Sequence, residues 1–152
     1  MAQLTYSSFM QVGALGTVCA HERSLAVINL TGAVIEDGRF LAYDSTGDNC
    51  VRLPTGSGDK LVGVNSIVET NVDGFANNTV GSALVKGNVF VYTNDAVTPA
   101  DPVYVQYTVN GTRALGTVGK TDDTSKAVLV AGARFMASAS AGSIVEIAVN
   151  LA

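Results

Sequence analysis

The chain of 152 residues has no tryptophan, one histidine, two cysteines and three prolines. Each shortage closes a line of chemistry. His21, Cys19 and Cys50 make a poor metal set, without any Cys-x-x-Cys spacing. Both thiols are expected to be free and buried. Five tyrosines and no tryptophan leave few aromatic platforms for stacking on a sugar. Charge is scarce too: Asp, Glu, Lys and Arg make up 14% of the chain, against a usual share of about 25%. The low share has two readings, a surface covered by partners or one rich in Thr, Asn and Ser. The net charge is −4, and the nine basic residues are scattered singly. That pattern lacks the basic patch of a nucleic-acid binder. Met1 to Cys19 has neither a basic start nor a continuous apolar stretch, so no secretory leader is expected. No run approaches the about 18–20 apolar residues of a membrane span. Neither nucleic acid nor membrane is expected as a partner.

What is present is glycine, at 16 positions, and many short β-branched runs. The glycines fall between the runs, as turn residues do. The runs are Ala26–Leu30, Arg39–Tyr43, Asp59–Val68, Ser82–Lys86, Asn88–Thr93, Val103–Val109, Ala114–Val118, Ala127–Phe135 and Ser143–Leu151. Their spacing is that of a sandwich or barrel. Val103, Val105, Tyr107 and Val109 share one face of their run, and Tyr104, Gln106 and Thr108 share the other. A period of two marks a half-buried strand. Ala127–Val130 is apolar on both faces, which predicts a central strand covered on both sides. No amphipathic helix stands out. The pattern predicts an all-β fold, a compact β-sandwich or partly closed β-barrel.

The end of the chain is unusual. "SIVEIAVNLA", Ser143 to Ala152, alternates almost to its last residue, with Val145, Ile147, Val149 and Leu151 on one side. This predicts a terminal strand that pairs inside a sheet and contributes to the core. Burying each large aliphatic side chain is worth roughly 1.5–3 kcal/mol.

The first 25 residues differ. Leu4, Tyr6, Phe9, Met10, Val12 and Leu15 are spaced through "MAQLTYSSFMQVGALG" without a clean period. Residues 1–25 are read as an extended N-terminal arm that gains order from a partner, and residues 26–152 as the β domain. A first strand within the same core is the alternative.

A search for chemistry finds little. "ALGTVGKT", Ala114 to Thr121, ends like a phosphate loop, but Ala114 stands where the first glycine belongs, and no strand-loop-helix unit surrounds it. "PTGSGDK", Pro54 to Lys60, lacks the third glycine of a dinucleotide loop and reads as a hairpin loop. "DSTGDN", Asp44 to Asn49, lacks the ligand order of a helix-loop-helix calcium site and reads as a turn. Three Asn-x-Thr triplets, at Asn29, Asn77 and Asn110, are read as coincidence in a chain rich in both residues. No serine sits in a Gly-x-Ser-x-Gly turn, and the Asp-x-Gly-Tyr and Gly-Ser-Ser-Gly sequences of trimeric dUTPases are absent. No catalytic, cofactor-binding or metal-binding residue is assigned, and the chain is not expected to be an enzyme.

In order along the chain, these segments resemble the capsid cement, or head decoration, proteins of tailed bacteriophages. The similarity runs through "MAQLTYSSFMQVGALG", then "INLTGAVIEDGRFLAYD" (Ile28–Asp44) and "LVGVNSIVE" (Leu61–Glu69). It continues through "LVKGNVFVYTNDAVTPADPVYVQYT" (Leu84–Thr108) and closes with "GARFMASASAGSIVEIAVNL" (Gly132–Leu151). Each segment alone says only strand, turn, strand; the ordered set carries the resemblance. Cys19, His21, Glu22 and Arg23 have no counterpart in the pattern.

The resemblance implies a structural virion protein without a cofactor. It would be made in the bacterial host cytoplasm and sit as a homotrimer on the outer capsid surface. There it would bridge major capsid protein subunits. Leu4, Tyr6, Phe9, Met10, Val12 and Leu15 are the expected capsid contacts, since aromatics and methionine are enriched at interfaces. The alternative reading is a carbohydrate- or receptor-binding β module of a phage fibre.

Overall fold

The computed structural model describes residues 14–67 and 74–151. These residues form strands and turns, with no helix among them. The strands are β1 (Val18–Asn29), β2 (Phe40–Tyr43), β3 (Cys50–Arg52), β4 (Leu61–Ser66) and β5 (Thr79–Tyr92). They continue as β6 (Tyr104–Gln106), β7 (Val118–Gly119), β8 (Ala127–Leu129), β9 (Ala133–Phe135) and β10 (Ile144–Asn150). The architecture is all-β, as the periodicity predicts.

The first five strands close on themselves. β1 pairs with β3, β3 with β2, β2 with β4, β4 with β5, and β5 returns to β1. Only the β1–β3 step is parallel. Closure removes sheet edges that would otherwise recruit other strands. Val27, Leu41, Val51, Val62 and Ala83 fill this small barrel, with Ile35 and Phe75 packed among them. The chain leaves β1 through a turn built on Asn29, which is fully buried. Its amide donates to the Ala33 and Phe75 carbonyls at 2.7 and 2.8 Å. Its carbonyl accepts from the Thr31 amide and hydroxyl at 3.0 and 2.7 Å. One side chain therefore satisfies the backbone where the ladder ends, as Asx turns do.

β5 is the hinge of the architecture. Its first half belongs to the barrel. Its second half, from Lys86 to Tyr92, pairs with β10, which pairs in turn with β9. A three-stranded sheet, in the order β7-β6-β8, packs across this half. Between the two layers lie Val89, Val91, Val145, Ile147 and Val149 from one side and Val103, Val105, Val118 and Val130 from the other. Val145, Ile147 and Val149 are buried while their alternates are not. The closing strand is thus an inner rib between β5 and β9, as its alternation predicts.

Several details differ from the sequence reading. Ser82–Lys86 and Asn88–Thr93 are one 14-residue strand; Gly87 lies inside it rather than ending it. Ala127–Phe135 is two strands in two sheets, separated by a turn in which the Ala133 amide donates to the Val130 carbonyl at 3.2 Å. Ala127–Val130 is not central: β8 ends its sheet, and Leu129 is 53% exposed. The strand expected over Val103–Val109 stops at Gln106, and Val109 lies in solvent. β3 was not among the expected runs, being only three residues long. Pro54–Lys60 is no hairpin loop, because β3 and β4 lie on opposite sides of β2. Asp59 closes that crossover: its carboxylate takes both guanidinium arms of Arg52, at 2.8 and 2.9 Å, and the Thr55 and Gly56 amides. Cys50 is buried, but Cys19 is exposed. Finally, β1 runs without a break across the boundary expected at residue 25.

Candidate interaction surfaces

The polar side chains gather first on the outer face of the small sheet. Tyr104, Gln106, Ala127 and Leu129 point outward there, because Val105 and Val130 point into the core. The loop after β7 folds back over this face at Gln106. Asp123 accepts from Gln106 Nε2 at 2.7 Å and from Asn110 Nδ2 at 3.0 Å. Those hydrogen bonds hold its carboxyl below the usual carboxylate range. Asp123, Thr124 and Ser125 all take positive φ, at 48°, 58° and 63°. Such a run is costly for non-glycine residues. It is held by the Asp123 contacts and by the Asp122 carbonyl, which accepts from the Lys126 and Ala127 amides at 2.9 Å each.

Beside it, Arg113 Nη2 meets Asp95 Oδ1 at 2.6 Å, and the Lys120 amide donates to Asp95 Oδ2 at 2.9 Å. Burial alone would raise the Asp95 carboxyl; the Arg113 hydrogen bond, the Lys120 amide and the two nearby cations outweigh it and hold it low. The amide that a phosphate loop would aim at a phosphate is thus occupied by the protein's own carboxylate. Similarly, the Asp44 carboxylate is used by the Thr46 amide and hydroxyl, closing a turn.

Nucleophilic chemistry has one geometric candidate, His21 Nε2 at 2.9 Å from Ser24 Oγ. His21 sits exposed on β1, and no third group orienting the ring is found among the described residues. A working dyad needs that orientation and an enclosed site. Among the described residues, no group of three or more His, Cys, Asp or Glu stands close enough to hold a metal ion.

Among the described residues, two open concavities stand out. One, of about 460 Å3, lies where the first described residues join the body; Leu15, Ile67 and Ile144 give it an apolar lining beside Asp37. Burial pushes the Asp37 carboxyl up. The other, of about 430 Å3, crosses β5, β10 and β9 on their outer face. Ala148 and Asn88 line it on that face, with Lys86, Arg134 and Glu22 beside them. Lys86 Nζ and Glu22 Oε2 are 3.1 Å apart, both exposed. Such a pair adds little stability.

Of the six contact residues expected from the sequence, Leu4, Tyr6, Phe9, Met10 and Val12 lie outside the described residues. Leu15 is half-buried in the wall of the first concavity. The sequence reading missed Ile67, Leu129 and Val80, large apolar side chains left exposed. Strict alternation within Ala127–Val130 would have put Leu129 on the face away from Val130.

Carboxylates engaged by the fold's own donors, an exposed histidine and bare apolar side chains define an all-β module built for assembly. The comparisons agree with that class. The structural cement protein family (E217 gp24/Pam3 gp6) matches residues 2–150, and the chain belongs to this family. It is a structural, capsid-stabilising protein of bacteriophage. Among solved structures, a chain from the capsid of Myoviridae phage XM1 shares the fold, with a TM-score of 0.69 and 20% identity over 91% of each chain. The N base of the head fibre gp8.5 of bacteriophage phi29 aligns at a TM-score of 0.43 and 15% identity, over 86% of this chain and 95% of that one. No curated protein matches the sequence.

Proposed function

We propose that the protein decorates the outer surface of an icosahedral phage capsid as a homotrimer and bridges neighbouring major capsid subunits. It is made in the host cytoplasm and contacts neither nucleic acid nor membrane. The arm through Leu15, with Leu4, Tyr6, Phe9, Met10 and Val12, supplies the capsid contact. The family match over residues 2–150 carries the reading, since it takes in the arm as well as the β body. The apolar concavity at Leu15, Ile67 and Ile144 supports it, because it lies where the arm joins the body.

The mechanism is mass action. A ligand that binds the assembled shell and not its separated subunits stabilises the shell by RT ln(1 + [L]/Kd). Many copies, each adding modestly, resist internal pressure. An arm that orders on binding loses entropy but covers a wide surface.

The experiment is co-sedimentation with undecorated shells, followed by electron microscopy of the decorated particles. Full-length protein should pellet with shells and lie on their outside. A form lacking residues 2–13 should stay folded and remain in the supernatant. Undiminished pelleting of the shortened form would remove the arm from the contact.

A further inference from the structure

The strands at the margins of the sheets are not alike. The pairing of β1 with β5 shifts register three times between Val18 and Ser24, where His21, Glu22 and Arg23 stand exposed. Bulges and charges of this kind keep other strands from adding to an edge. β9 carries Arg134 at its centre. β7 is covered, since the Asn94 amide donates to the Val118 carbonyl at 2.7 Å. β8 has none of these devices: Ala127, Val128 and Leu129 bring no charge, no proline and no bulge.

The pairing fixes which groups β8 leaves open. The Tyr107 amide donates to the Lys126 carbonyl, and the Val130 amide to the Val103 carbonyl, at 2.9 Å each. Residues 126, 128 and 130 therefore bond toward β6. By the alternation of an antiparallel ladder, Leu129 turns both its N–H and its C=O away from β6. Its side chain, 53% exposed, lies beside Tyr104 on the outer face.

We propose that β8 is a self-association surface. Two copies pair their β8 strands antiparallel about a two-fold axis that passes between the two Leu129 residues. Each Leu129 N–H donates to the other's C=O, and the two three-stranded sheets become one. The register is self-compatible. Val128 falls opposite Val130, and the turn closed by the Ala133 amide on the Val130 carbonyl ends the ladder there, so no like charges meet in it. Leu129 and Tyr104 of both copies form one apolar strip across the seam. A two-fold contact is isologous and cannot close a three-fold ring. This surface is therefore separate from the one that would make the trimer proposed above, and the inference stands on β8 alone.

The test uses the full chain in solution. Sedimentation velocity over a concentration series should show a self-association that Leu129→Lys weakens by about tenfold or more, since like charges directly opposite repel. The side chain is exposed, so thermal melting should be unchanged. In a Cys19→Ser background, Leu129→Cys should form a disulfide-linked dimer under mild oxidation, because directly opposite residues of a hydrogen-bonded pair lie about 5.5 Å apart. Unchanged self-association in Leu129→Lys together with no cross-link in Leu129→Cys would overturn the proposal. So would a Leu129→Lys variant that self-associates as before but no longer binds shells, which would give β8 to the capsid instead. Loss of shell binding in the arm-shortened form, with the β8 contact intact, would bear only on the function proposed above.

Discussion

Gly87 of β5 faces the Ala20 carbonyl of β1 so closely that a β-carbon on Gly87 would overlap that oxygen. Its φ of 145° is also one that side chains rarely adopt. The position is where β5 exchanges one layer for another. Leu84 still pairs with β4, and Lys86 already pairs with β10. β1 stays alongside throughout.

Gly87→Ala should therefore cost about 2–4 kcal/mol, from backbone strain and displacement of β1 together. Urea unfolding checks it. A loss under about 0.5 kcal/mol, the size of an ordinary surface change, would mean that β1 gives way freely at Ala20.

This is also where the sequence reading stops short. A glycine between two apolar runs reads as a turn, and the residues flanking Gly87 give no sign that the strand continues. Continuation depends on β1 approaching from one side and β10 from the other, both distant in sequence. Ala127–Val130 fails for a related reason. Apolar residues on both faces predict cover on both faces, but on the outer face the chain covers Ala127 and leaves Leu129 bare. The closing strand was legible because seven alternating residues with large aliphatics specify a face by themselves. The arm contacts were legible only as composition, and of the six residues only Leu15 can be placed.

Acid should weaken the fold below about pH 4. Asp59 is held below the usual range by Arg52. Asp95 and Asp123 are also lowered. Unfolded, these carboxyls take up protons near pH 3.8, whereas folded they resist to lower pH. As pH falls, the unfolded chain binds more protons, so the stability these groups contribute is lost. Asp37 runs the other way: burial raises its carboxyl, so its contribution is present below pH 3.8 and lost as pH rises. Asp37→Asn should thus melt higher than the parent at pH 7, and the difference should vanish near pH 3. Thermal melts across that range check the sign; a lower melt at pH 7 would show that the charge is used.

The two thiols should separate kinetically. Cys19 is exposed, yet burial around its sulfur and the Glu146 carboxylate push its pKa to about 11. The thiolate is the reactive form, so alkylation at pH 7 should be slow and should rise about tenfold per pH unit up to pH 10. Cys50 is 4% exposed and should react only on unfolding. Mass spectrometry of iodoacetamide-treated protein resolves the two. Rapid labelling of Cys19 at pH 7 would contradict the raised pKa.

Ile147 should be the most sensitive position of the closing strand. It is fully buried, between Val89 of β5 and Phe135 of β9 in the ladder. Removing its side chain takes away transfer energy and leaves a cavity between the two layers, so Ile147→Ala should cost about 2–5 kcal/mol. Ala148, its neighbour, faces the outer trough, and Ala148→Ser should cost less than about 0.5 kcal/mol. The contrast tests which face of β10 is inside, because a one-residue slip in register would exchange the two outcomes. Chemical denaturation of both variants, with shell co-sedimentation as a second readout, decides it. Equal losses at the two positions would mean that β10 is not held in the register seen here.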